Sequence, residues 1–94
     1  MKTANYYKRE TTKLCKQKGW YNADISVLWM CLVEEVGELA SSIRRASNHF
    51  TDQKRIDIEG ELMDVLSYLF HISDLYNIDL DRGMTRQLQH AQRN

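Results

Sequence analysis

The sequence predicts an all-α protein, a four-helix antiparallel bundle-like domain spanning residues 1–94, and three observations carry that expectation. The chain has no proline and only four glycines, so few positions interrupt a helical run. Apolar residues recur at three- and four-residue spacings over long stretches. Between those stretches stand short polar segments holding the residues that start and stop helices. With no low-complexity tract or internal repeat, the connections are short, and helices joined this way lie antiparallel to their neighbours.

The first helix is expected over residues 3–18, polar with a thin apolar stripe of Tyr6, Tyr7, Leu14 and Cys15. Gly19 suits its C-terminus, and Lys13, Lys16 and Lys18 complement the negative end of its dipole. Trp20 and Tyr21 form an aromatic turn before Asp24, which caps a second helix running to about residue 47 or sits in its first turn. Its apolar face holds Ile25, Leu28, Trp29, Leu32, Val36, Leu39, Ala40 and Ile43. Gly37 inside it costs ~1 kcal/mol relative to alanine, which suggests close approach of another backbone. Residues 48–53 read as a short loop with His49 and Phe50 exposed or folded over the site. A third helix, about 54–76, carries its apolar face on Ile58, Leu62, Val65, Leu69, Ile72 and Tyr76, and Asn77 ends it because asparagine tolerates the left-handed conformation. Asp79 caps the last helix, with Asp81 in its first turn.

The composition bounds the function. A chain of 94 residues is one domain that buries only about 60 to 65% of its unfolded surface as a monomer, and its apolar share favours a homodimer or larger oligomer. A net charge of zero removes the usual electrostatic basis for binding nucleic acid or an acidic membrane. The N-terminus has no apolar signal core and no run nears the ~18 residues of a spanning helix, so the expected location is the cytoplasm. Cys15 and Cys31, without a Cys-x-x-Cys spacing, read as buried packing residues.

The chemistry lies in two acidic stretches, Glu34-Glu35-Val36-Gly37-Glu38 and Glu61-Leu62-Met63-Asp64. At about 100° per residue, Glu35 lies roughly 80° to one side of its helix's apolar centre and Glu38 roughly 60° further round. Glu61 and Asp64 repeat those offsets, in the same sense, on the third helix. Antiparallel neighbours with matching offsets turn both pairs into one groove or both outward, and the sequence leaves both arrangements open. Carboxylates bracketed by Leu, Val and Met are costly to bury without a cation. Arg44, Arg45 and Arg55 lie too far along their helices to serve the whole set, so a metal ion is the simpler partner. No Glu-x-x-His pair and no Cys or His set accompanies the carboxylates, which disfavours iron and zinc. Oxygen ligands suit Mg²⁺ or Mn²⁺, and magnesium is commonly completed by substrate phosphates.

The paired motif, with the flanks Val36-Gly37-Glu38-Leu39-Ala40 and Asp64-Val65-Leu66-Ser67-Tyr68-Leu69, resembles that of the MazG-like all-α nucleoside triphosphate pyrophosphohydrolases. The resemblance covers roughly residues 20–80. It implies Mg²⁺-dependent cleavage of a nucleoside or deoxynucleoside triphosphate to the monophosphate and pyrophosphate, on a helical fold assembled as dimers or dimers of dimers. Carried over, Glu35, Glu38, Glu61 and Asp64 ligate the metal, Glu34 is an outer ligand or water-orienting base, and Tyr68 and Trp20 hold the base. The chain departs from the pattern in its last helix. Where relatives present a lysine and then an asparagine, Gln87 and Ala91 stand here, with Arg86 and Arg93 off register. That departure keeps a second reading open, a non-catalytic nucleotide-sensing or interaction module. A third is hydrolysis of phosphoribosyl-ATP. His71 falls on the side of Asp64 and reads as structural, and His49 and His90 carry no signal.

Overall fold

A computed structural model describes residues 1–47 and 57–93 as four α-helices, α1 (Ala4–Lys18), α2 (Ile25–Ser47), α3 (Ile58–Leu75) and α4 (Leu80–Arg93). Among the described residues there is no strand, so the fold is all-α. Each boundary has a local cause. The Thr3 side chain accepts the Tyr6 N–H and starts α1. Gly19 ends it at φ 73°, with Trp20 N–H reaching back to the Cys15 carbonyl at 2.8 Å, the double-looped C-cap that only a left-handed residue closes. Asp24 Oδ1 accepts the Ser26 N–H at 2.9 Å and opens α2. Asn77, at φ 53°, ends the α3 segment, and Asp79 Oδ1 accepts the Arg82 N–H at 3.0 Å to open α4.

Three expectations need correction. The third helix begins at Ile58 and not near residue 54, because Asp57 adopts a non-helical conformation and caps it by accepting the Gly60 N–H. Gly60 leaves room for that cap, since a Cβ there would meet the Asp57 carboxylate. Among the described residues Gly37 has no atom within 4 Å of where a Cβ would stand, so none of their backbone closes on it. Cys15 and Cys31 are free thiols, half-buried and not fully packed. The expected loop at 48–53, with His49 and Phe50, and the residues 54–56, with Arg55, lie outside the described residues.

Helix α2 packs along α3, and α1 packs against α3. The α2 and α3 directions follow from paired side chains: Glu38 acts on Glu61, Asp64 on Glu35, and Cys31 on Tyr68. Steps of three and then four residues backward on α2 match the same steps forward on α3, so the helices are antiparallel and in fixed register. The buried residues of α1 are Lys8 and Thr12, not its apolar stripe. The Lys8 stem is covered while its Nζ donates to the Ile78 carbonyl, and Thr12 returns its hydroxyl to the Lys8 carbonyl.

Helix α4 is held at its start. Asn5 donates to Asp79 Oδ1 at 2.8 Å and accepts the Leu80 N–H at 2.8 Å, and Asp81 accepts the Ala4 N–H. Beyond that joint α4 buries no residue. Among the described residues only Leu28 and Leu32 are buried hydrophobics. The radius of gyration is 15.8 Å, against about 12 Å for a compact chain of this length.

Candidate functional site

The fixed register of α2 and α3 brings three carboxylates together. One oxygen each from Glu35, Glu38 and Glu61 lies within 4.8 Å of the other two. Glu35 and Glu38 therefore turn into one groove with Glu61, the inward of the two arrangements open to sequence. Glu35 and Glu61 each keep Oε2 buried without a hydrogen-bond partner, while Glu38 stands at the exposed rim.

The electrostatics follow from that crowding. The Glu35 carboxyl is pushed above the usual glutamate range, first by burial and then by the charges of Glu38, Asp64 and Glu61. Glu61 is pushed the same way by loss of solvent and by Glu38 and Asp64. Such a group takes up a proton or a cation to relieve the repulsion. The donors are all carboxylate oxygens and two are buried and unsatisfied, so the set fits a hard divalent ion such as Mg²⁺ or Mn²⁺.

Asp64 is outside the three-oxygen group, although its charge reaches both Glu35 and Glu61. It lines an adjoining cleft of about 430 Å³ together with Glu35, a volume in the range of small-molecule sites. Trp20 and Tyr68 stand in the same cleft. Trp20 is 65% exposed, so its ring face is free for a ligand rather than used in the core. The Tyr68 hydroxyl is kept protonated by burial, by the Cys31 thiol it contacts, and by Glu35 and Asp64. Glu34 is exposed and belongs to neither the carboxylate group nor the cleft lining, because a one-residue step turns it about 100° from Glu35.

The cleft also uses residues that the sequence reading left out or gave other roles: Thr11, Leu14 and Cys15 of α1, and Ser67 and His71 of α3. On α3 the signal was present, since 64, 67, 68 and 71 follow the i, i+3, i+4, i+7 spacing of one face. On α1 it was not, because nothing local to residues 11–15 says which helix they face.

Among the described residues no helix is long and apolar enough to cross a membrane. Neither a curated protein nor a solved structure matches the chain. The family model of the MazG nucleotide pyrophosphohydrolase domain matches residues 24–93, which takes in both acidic stretches and leaves α1 and Trp20 outside. With most of its length matched, and with an all-α fold that sets its carboxylates on α2 and α3, the chain belongs to the MazG nucleotide pyrophosphohydrolase domain family.

Proposed function

We propose that this chain, as one domain over residues 1–94, is a Mg²⁺-dependent pyrophosphohydrolase that cleaves a nucleoside or deoxynucleoside triphosphate to the monophosphate and pyrophosphate, serving nucleotide-pool control or house-cleaning in the cytoplasm. The observation that carries the reading is the convergence of Glu35, Glu38 and Glu61 within 4.8 Å, two of them with buried unpartnered oxygens, beside a cleft with aromatic walls. Family membership supports the reaction class.

In this reading Glu35, Glu38 and Glu61 would hold the metal, and Asp64 would add a fourth carboxylate beside Glu35. The bound ion supplies charge neutralisation for the polyphosphate. Glu38, at the open rim, orients the attacking water and takes its proton, and Glu34 assists only from outside as a second acidic group. Water adds to phosphorus, the α–β anhydride bond breaks, and pyrophosphate leaves. Trp20 and Tyr68 hold the base, by stacking and by the phenol hydroxyl.

No lysine or arginine lines the cleft among the described residues, which makes the metal the main counter-charge for the phosphates. The same observation favours the sensor as the second reading, since a site without basic groups can bind a metal-nucleotide complex and leave it intact.

A panel of nucleoside and deoxynucleoside triphosphates, with phosphoribosyl-ATP included, tests the proposal. With Mg²⁺ present, pyrophosphate is expected from at least one triphosphate, and Glu38→Gln or Asp64→Asn is expected to lower the rate by about 100-fold or more. Calorimetric binding of Mg²⁺-nucleotide without turnover supports the sensor, and turnover of phosphoribosyl-ATP alone moves the assignment to that substrate.

A further inference from the structure

The cleft that Glu35 and Asp64 enter is also lined by Thr11, Ser67 and His71, beside Trp20 and Tyr68. His71 follows Asp64 by one heptad, so it lies ~10 Å further along α3, about the reach of a sugar and base from a phosphate held at the carboxylates.

The His71 ring is held on two sides. It is 3% exposed and stacked on Tyr21 with ring centroids 4.6 Å apart and an interplanar angle of 27°. Its Nε2 accepts the Asn22 backbone N–H at 3.3 Å. A nitrogen that accepts carries no proton, so the neutral ring carries its proton on Nδ1. Burial keeps the ring neutral, with Lys16 acting in the same sense and Asp74 against it. What His71 can offer a ligand is therefore a donor and not an acceptor.

The neighbouring hydroxyls are less selective. Thr12, Ser47, Ser73 and Thr85 give their hydroxyl protons to carbonyls of the preceding turn. Thr11 and Ser67 make no such bond among the described residues. A hydroxyl both donates and accepts, so these two tolerate a carbonyl or an amino group on a ligand, and His71 does not.

We propose that His71 is the specificity-determining residue of the cleft: its Nδ1–H donates to a carbonyl oxygen on the outer edge of the base, favouring uracil, thymine, guanine and hypoxanthine nucleotides over cytosine and adenine nucleotides. The inference rests on the nucleotide reading proposed above. An amino group at that edge sets donor against donor and leaves both unpaired, the mismatch that gives hydrogen-bonding sites their large discrimination.

The test compares kcat/KM for dUTP, dTTP, dGTP and dITP with that for dCTP and dATP in Mg²⁺. A preference of about tenfold or more for the carbonyl-bearing bases is expected, chiefly in KM. His71→Leu should reduce it to below about threefold, the loss falling in KM for the carbonyl-bearing bases, whereas His71→Gln, whose amide still donates, should restore it in part. Circular dichroism checks that the variants fold, and if the leucine variant does not, the wild-type and glutamine ratios decide. Equal or reversed preference in the wild type, or a folded leucine variant that keeps the preference, overturns the role of His71 while leaving the hydrolase reading intact. If no nucleotide is cleaved, the hydrolase reading fails by itself, and calorimetry with α,β-imido analogues of the same bases reads the preference. Equal affinities there, or no binding at all, overturn the inference.

Discussion

Glu35 shows at the scale of one side chain why the acidic group needs a counter-charge. Its carboxyl is raised in the folded chain by burial and by Glu38, Asp64 and Glu61. A carboxyl raised on folding contributes stability that is present below its unfolded value and lost as pH rises through its folded value. At neutral pH the ionised group is therefore a burden on the metal-free fold. His71 titrates in the opposite sense, because its value is lowered, so the difference between the wild type and Glu35→Gln isolates the carboxylate. In EDTA, Glu35→Gln is expected to melt higher than the wild type at pH 7.5, with the gap closing as pH falls through the carboxylate range. Mg²⁺ at 100 times its dissociation constant should raise the wild-type melting temperature by roughly 10 °C or more and the variant's by much less. Thermal melts at several pH values, with and without the metal, check both outcomes. The convergence of Glu35, Glu38 and Glu61 was legible as one of two arrangements, because rotation about a helix axis is a local property. The part played by Thr11 was not, since it depends on how α1 docks.

Single elements begin and end where their caps allow. Gly19, Asp24, Asn77 and Asp79 could be read from sequence because a cap is a contact between residues two to five apart. The start of α3 was misplaced because several polar residues precede it, and the choice of Asp57 depends on the space that Gly60 leaves for the carboxylate. Asn5 is a different kind of joint, linking α1 to the start of α4 through two bonds of 2.8 Å. Asn5→Ala is expected to cost about 1–3 kcal/mol and to speed amide exchange in the first turn of α4, read by chemical denaturation and hydrogen exchange. Gly37 has free space around it, so Gly37→Ala should stabilise α2 by about 0.5–1 kcal/mol. A loss of stability instead would mean that something beyond the described residues approaches that turn.

The whole molecule is more open than its length requires, with a radius of gyration of 15.8 Å. The all-α class was legible because every helix signal is local, whereas the thinness of the core was not, because periodicity marks an apolar face without saying what covers it. Leu80, Met84, Leu88 and Ala91 fall on one stripe of α4, and Met84 and Leu88 are 56% and 58% exposed. That stripe, with the exposed Trp29, Val36, Leu62 and Leu69 of α2 and α3, supports the homodimer or dimer of dimers expected from the sequence, which we propose for this chain. Light scattering is expected to give a mass of at least twice the 11.1 kDa of one chain, and Leu88→Asp should shift it toward the monomer. The matched steps of α2 and α3 have a vectorial consequence. The Glu38–Glu61 and Glu35–Asp64 rungs come first along α3 and the Cys31–Tyr68 rung follows. A guest with one anionic head and one flat tail finds its two ends received differently, so it seats in a single direction, a polarity that belongs to the ladder and to no one rung.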